Sequence, residues 1–215
     1  MSSTLNPTEL AAANSVIKWA DEYLSQPHEK MTREKGNNVV CPFVAPSIKN
    51  NTFYIAMKSE ISEPDVDAVI NIIQDYFEPF KRLKPYVPKQ KTLKGLCICF
   101  PNLKKNAFPV LDMAFEIVKP NAIKNKLMIA QFHPDCKEVA FHNRSWNTVS
   151  QSPVPLIAMR HMAIHDIMFL NAEREWFDEY NRAFGDKFRA PEKLADEERF
   201  LEEVYREALA RHRSR

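Results

Sequence analysis

The sequence contains 215 residues, of which 45% are hydrophobic and 27% charged, and its formal net charge is +2 at pH 7. This composition is typical of one globular domain with an apolar core. The nearly neutral charge gives no electrostatic basis for nucleic-acid binding. The sequence also contains no run of about 18 uncharged apolar residues, the length that a membrane span requires. Because only three glycines are present, a glycine-rich phosphate-binding loop is excluded. The polar N-terminus lacks signal-peptide features, so we expect a cytoplasmic protein.

Apolar periodicity and the positions of the prolines predict the elements of the fold. In chain order, these are a helix capped by Asn6, a strand over Thr52–Lys58, a helix entered through Ser62 and Asp65, a strand over Leu93–Phe100, a helix from about Asn106 to Val118 stopped by Pro120, a strand over Leu127–Phe132, and an apolar helix over Pro155–Leu170. The order predicts an α+β or α/β fold with a small central mixed sheet flanked by helices.

We expect residues 1–170 to form one α+β domain and residues 171–215 to form a charged helical extension. The extension carries one narrow apolar stripe, formed by Leu194, Leu201, Val204, Ala208 and Leu209. A stripe of this kind either packs across the domain or joins two copies of the chain into a homodimer.

The segment from Gln131 to Asp166 holds four of the six histidines. His133 follows a predicted strand and precedes Pro134, which favours an extended backbone and directs the ring beyond the edge of the sheet. A neutral imidazole there could bind iron or zinc or act as a general base. The alternative is a core histidine hydrogen-bonded to a backbone carbonyl.

His161 and His165 lie four residues apart on the predicted helix, so their rings are expected to share one face. This spacing suits two metal ligands. Met162 stands where a HExxH zinc protease has its glutamate, so that motif is absent. The pair is therefore interpreted either as metal or proton-handling residues or as structural hydrogen-bonding groups.

Two arginines are candidate ligands for a substrate carboxylate, Arg160 and Arg144, because a guanidinium can bind a carboxylate through two parallel hydrogen bonds. Arg160 lies in an apolar segment, where a cation requires a partner. Its alternative role is an internal ion pair, for instance with Asp166.

Cys41 could present a thiolate to a metal or an electrophile, but no cation adjoins it in the sequence to stabilise that thiolate. The alternative is a small buried apolar side chain. In the same way Trp146, Phe132 and Phe141 are interpreted either as the wall of a pocket or as ordinary core.

Several short motifs together resemble an uncharacterised bacterial domain family with the pattern CPF, FHP and RSPxPxxxxR. The matching elements lie between Val39 and Leu170, and they are Cys41-Pro42-Phe43, Phe100-Pro101, Phe132-His133-Pro134 and Ser152-Pro153-Val154-Pro155 followed by Arg160. The chain departs from the pattern at Gln151, where the related domains have arginine.

A more distant similarity is to the YqcI/YcgG-type heme proteins, some of which N-oxygenate amines or guanidines. This resemblance implies a non-covalent heme b with His133 as axial ligand and Phe132, Pro134 and Cys41 near it. It also implies that Arg160 anchors the substrate and that His161 or His165 handles protons. The expected function is a heme-dependent oxidoreductase that acts on a small amine- or guanidine-bearing metabolite in specialised biosynthesis. The alternative is a cofactor-free or zinc-dependent domain that binds or hydrolyses a small molecule.

Overall fold

The computed structural model describes residues 4–31, 38–84, 93–141, 143–189 and 199–213. The helices are α1 (Pro7–Trp19), which continues into a π-helical turn (Ala20–Leu24), α2 (Val44–Lys49), α3 (Val66–Asp75), α4 (Phe77–Arg82), α5 (Pro109–Lys124), α6 (Ile167–Leu170), α7 (Arg174–Arg189) and α8 (Phe200–Arg213). The strands are β1 (Phe53–Met57), β2 (Gly95–Cys99), β3 (Leu127–Phe132) and β4 (Leu156–His161). Across these described residues, no helix combines the length and the apolar character needed to span a membrane.

The four strands form one mixed sheet in the order β1-β2-β4-β3. β1 and β2 are parallel, whereas β4 runs antiparallel to both of its neighbours, β2 and β3. The predicted α+β fold with a small central sheet is therefore confirmed. Because β1, β2 and β3 all point the same way, the segments that follow them meet at one edge of the sheet.

The helix predicted over Pro155–Leu170 is wrong, because its first part is the central strand β4. This strand is apolar along most of its length since both of its faces are covered, and a continuous apolar run does not distinguish a buried strand from a buried helix. A short 3₁₀ turn and α6 follow β4. His161 ends the strand and His165 lies in the turn, so the expectation that they share one helix face is also wrong.

α5 is longer than predicted, because it passes through Pro120 and ends at Lys124. A proline inside a helix removes one backbone hydrogen bond and crowds the preceding turn. The last turn of α5 is held by burial, since Ala122 and Ile123 are almost fully inaccessible to solvent. Packing here outweighs the local preference of proline to end a helix.

Helix starts follow the local signals more closely. The Asn6 side chain accepts a hydrogen bond from the Glu9 amide, and the Glu9 carboxylate accepts one from the Asn6 amide, which together form a capping box. At α3 the N-cap is Asp65, whose carboxylate accepts a hydrogen bond from the Ala68 amide at 2.9 Å. The predicted capping role of Ser62 is thus wrong.

The two faces of the sheet are covered differently. Helices α3, α4 and α5 pack on one face, with a core that includes Ile73, Phe80, Ile98, Leu111, Val118 and Leu127. The opposite face is covered partly by α1, whose Val16 packs with Cys99 and Leu156. The remainder of that face borders a cavity.

The C-terminal helices pack on the domain. The Tyr180 hydroxyl on α7 donates a hydrogen bond to the carbonyl of Ile164 at 2.6 Å, and Lys126 forms an ion pair with Glu179. Leu201 and Ala208 of the predicted apolar stripe are buried in the same cluster, whereas Leu194 lies outside the described residues. The stripe therefore packs within the chain, and its role in a homodimer stays a prediction.

Candidate functional site

A cavity of about 730 Å³ lies against the sheet face that α1 covers only in part. Its floor is built from small side chains, because Gly95, Cys97, Ala130 and Ala158 occupy neighbouring positions on β2, β3 and β4. Aromatic side chains form much of its wall, and these include Trp19, Phe43, Phe53 and Phe132. The result is a largely apolar space of the size that small molecules and cofactors occupy in proteins.

Arg160 is a cation of the cavity lining, and its side chain is 20% exposed. Its guanidinium donates two hydrogen bonds to the carboxylate of Asp166, at 2.8 and 2.6 Å, and a third to the carbonyl of His161 at 3.1 Å. The ring of Phe43 stacks on it, with 4.1 Å between the guanidinium carbon and the ring centroid. The internal ion pair predicted for Arg160 is therefore confirmed, and Arg160 also lines the cavity.

The electrostatics of Arg160 keep it charged. Burial alone would lower the pKa of Arg160, but the charge and hydrogen bonds of Asp166 raise it, and Cys41 adds a smaller contribution in the same direction. No cation adjoins Cys41 in the sequence. Arg160 is distant from it along the chain, and the pairing of β4 with β2 brings the two residues to the same cavity.

The four cysteines are free thiols. Cys97 and Cys99 are buried in β2, and burial raises the pKa of Cys97 well above its ordinary value and that of Cys99 to about 12. Cys41 is only half-buried and lines the cavity. Two of the thiols, Cys41 and Cys97, line the cavity, and Cys41 is the more exposed of the two.

Ser47 on α2 adds a polar group that sequence reasoning missed. Its side chain is 2% exposed, it lines the cavity, and its hydroxyl has no hydrogen-bond partner within the described residues. It stands above Gly95, where an added Cβ would lie 3.6 Å from the Ser47 oxygen. Gly95 in turn pairs with Arg160 across β2 and β4, so the serine hydroxyl and the guanidinium belong to one end of the cavity.

His133 lies elsewhere. Its buried ring contacts α5, where Nε2 is 3.2 Å from each carboxylate oxygen of Asp112, and it packs near Phe108. Its Nδ1 has no hydrogen-bond partner within the described residues. Phe132, the last residue of β3, lines the cavity, whereas His133, which follows the strand, does not. Pro134, which follows, is exposed.

Cys136 completes a cluster with His133 and Asp112. One ligand atom from each of these three residues lies within 4.8 Å of the others. Burial is the main cause that raises the pKa of Cys136, and the nearby Asp112 and Glu138 charges act in the same direction. Nothing in the sequence connects Asp112 with His133, because most of α5 and the whole of β3 lie between them.

The remaining candidates are dispersed. The ring of His161 packs 5.0 Å from that of Phe80, and the ring of His165 lies 6.4 Å from that of Phe200. Neither histidine lines the cavity or joins the His133 cluster.

Of the other predicted pocket residues, Arg144 is exposed and lines the cavity. Trp146 is buried and stacks on His28, with 4.2 Å between the ring centroids, so it belongs to a separate small cleft.

These features define an α+β domain with a mixed four-stranded sheet and one large cavity on its incompletely covered face. The chain belongs to the family described as Domain of unknown function (DUF6875), which it matches over residues 13–195. The match spans all four strands and extends beyond residue 170 to include α7. Searches of curated proteins and of solved structures gave no match. Membership of an uncharacterised domain family is thus confirmed, and the family match carries no statement about heme.

Proposed function

We propose that this domain binds a small organic carboxylate, with the apolar body of the ligand in the cavity and its carboxylate beside Arg160 and Ser47. The observation that carries the proposal is the buried Ser47 hydroxyl, which has no partner among the described residues and lies at the same end of an apolar cavity as the partly buried Arg160 guanidinium. Buried polar groups without partners are uncommon in folded proteins, and a ligand is one way to satisfy them.

The hydrogen-bonding capacity of this end supports a carboxylate. A guanidinium has five N–H donors. Within the described residues, Asp166 and the His161 carbonyl accept three hydrogen bonds from Arg160, which leaves further donors for a ligand. Because Asp166 neutralises much of the Arg160 charge, recognition rests on directed hydrogen bonds more than on net charge. The Ser47 hydroxyl supplies another donor.

The proposal is tested by thermal unfolding and calorimetric titration with cinnamate and octanoate, each compared with its alcohol. The carboxylates are expected to raise the melting temperature more than the alcohols, since a ligand that binds only the native state stabilises it. Ser47→Ala is expected to weaken carboxylate binding about tenfold, which corresponds to the loss of one hydrogen bond to a charged group.

Ser145→Ala provides the matched control, because the Ser145 hydroxyl bonds Asn143 on an exposed loop and its loss should leave affinity unchanged. Equal effects of acids and alcohols on the native protein would contradict the proposal. So would unchanged affinity in Ser47→Ala.

The second candidate function is the heme-dependent oxidoreductase that acts on a small amine- or guanidine-bearing metabolite. The cavity favours it, because its volume suits a cofactor and Cys41 and Phe132 both line it. The residues that would hold heme are Cys41 as iron ligand and Arg144 for a propionate, since both line the cavity. Bound heme would supply O₂ or peroxide chemistry. His133 does not fit as the axial ligand, because its ring contacts α5 and lies outside the cavity lining.

Absorption spectra of protein expressed with a heme precursor test this second function. We expect a Soret band that is abolished in Cys41→Ser and retained in His133→Gln, because Cys41 lines the cavity and His133 does not. A band lost in His133→Gln but retained in Cys41→Ser would overturn the Cys41 assignment. A flat spectrum from the native protein would remove the heme function, and the carboxylate proposal would be unaffected.

A further inference from the structure

We infer that Asp112, His133 and Cys136 form a binding site for a divalent transition metal, and that Zn²⁺ is the ion best matched to it. The site lies at the carboxyl end of β3 and the beginning of α5, and it shares no residue with the cavity lining. The inference therefore stands apart from both proposed functions.

The spacing of the ligand atoms fits one metal ion. All three lie within 4.8 Å of one another, and His133 Nε2 is 3.2 Å from each Asp112 oxygen. Tetrahedral zinc with bonds of about 2.0–2.3 Å separates its ligand atoms by roughly 3–4 Å. Small adjustments of side-chain torsions therefore suffice to place an ion between the three groups.

Local structure brings the three residues together. β3 ends at Phe132, and the Cys136 amide then donates a hydrogen bond to the His133 carbonyl at 3.0 Å, which folds the chain back in a turn. Asp112 lies in the first turn of α5. The ligands come from two rigid elements and one tight turn, so the site is preorganised before an ion arrives.

Burial distinguishes the inner ligands from the outer one. The side chains of His133 and Asp112 are 4% and 46% exposed, and Cys136 is 1% exposed. An ion would enter past Asp112, and its fourth coordination position would face solvent. Three protein ligands with one open position are the arrangement found in catalytic zinc sites.

The donor set selects the class of ion. Imidazole and thiolate ligands suit zinc and related transition metals, whereas Mg²⁺ and Ca²⁺ prefer oxygen ligands. Nε2 is the ring nitrogen that faces Asp112, so the neutral tautomer with its proton on Nδ1 presents the Nε2 lone pair to an ion shared with Asp112. Binding releases the Cys136 thiol proton to solvent.

Titration of the EDTA-treated, full-length protein with Co²⁺ tests the inference. We expect one equivalent to bind and to produce a thiolate-to-cobalt charge-transfer band in the near ultraviolet together with visible bands of a tetrahedral ion. Added Zn²⁺ should displace the cobalt and remove both the charge-transfer band and the visible bands. Cys136→Ser should abolish the charge-transfer band, and His133→Gln should weaken Co²⁺ binding by at least about tenfold.

Cys41→Ser is the matched control, because it removes the most exposed of the four thiols and should leave the band intact. Absence of a charge-transfer band in the native protein would by itself overturn the inference. A band that persists in Cys136→Ser and disappears in Cys41→Ser would also overturn it, because the thiolate ligand would then come from the cavity.

Discussion

Replacement of Asp166 by asparagine is expected to lower the free energy of unfolding by about 3–5 kcal/mol. The Asp166 carboxylate is 1% exposed, and it accepts hydrogen bonds from Arg160 and from the Ala163 amide at 2.7 Å. Asparagine keeps the shape of the side chain but removes the counter-charge. Arg160, whose side chain is 20% exposed, would then lose its anion inside the protein, and urea denaturation measures the decrease in the free energy of unfolding.

The control for this variant is Glu22→Gln, which breaks an ion pair on the surface. Lys18 and Glu22 are 3.9 Å apart and mostly exposed, so their separation should cost less than about 1 kcal/mol. If Asp166→Asn were no more destabilising than Glu22→Gln, the buried pair would not contribute to stability as argued.

The second large effect is expected at Lys94, which is 1% exposed. Its ammonium donates hydrogen bonds to the carbonyls of Phe80, Lys81 and Leu83, at 3.3, 3.2 and 2.8 Å. These carbonyls belong to the C-terminal end of α4, and the last four carbonyls of a helix have no hydrogen-bond donor within the helix. Lys94→Met keeps most of the side-chain volume but leaves the three carbonyls without this donor. We expect the free energy of unfolding to fall by about 2–3 kcal/mol.

Lys104→Met is the corresponding surface variant, because Lys104 pairs with Glu63 and both are more than half exposed. Its thermal unfolding should differ little from that of the native protein. A melting temperature for Lys94→Met equal to that of Lys104→Met would show that solvent replaces the lysine at the end of α4.

Local signals account for the parts of the fold that the sequence predicted correctly. The N-cap at Asn6 and the boundaries of β3 depend on neighbouring residues alone, because Asn6 precedes a proline at the first helical position and His133-Pro134 ends a short apolar run. β4 was mistaken for a helix because its apolar run reflects its place between β2 and β3. That place is a long-range property that no short window contains.

The same distinction holds for the site. The pairing of Arg160 with Asp166 was one of the two roles considered for Arg160, because the two residues are close in sequence and a cation in an apolar segment requires a partner. The approach of Arg160 to Cys41, and of Asp112 to His133, depends on how separate elements pack. No spacing rule could have joined these pairs, and Ser47 carried no sequence signal that marked it as buried.

The central position of β4 has a consequence for synthesis on the ribosome. β4 is the last of the four strands to emerge, yet it is the neighbour that joins β2 to β3. Until Leu156–His161 has left the exit tunnel, the nascent chain can pair only β1 with β2, and the apolar strand β3 has no partner in the sheet. A translation product that stops in the connection between β3 and β4 would expose two unpaired strand edges, which favour association with other chains. Prompt synthesis of residues 133–161, which complete β4, is therefore expected to limit aggregation while the protein is being made.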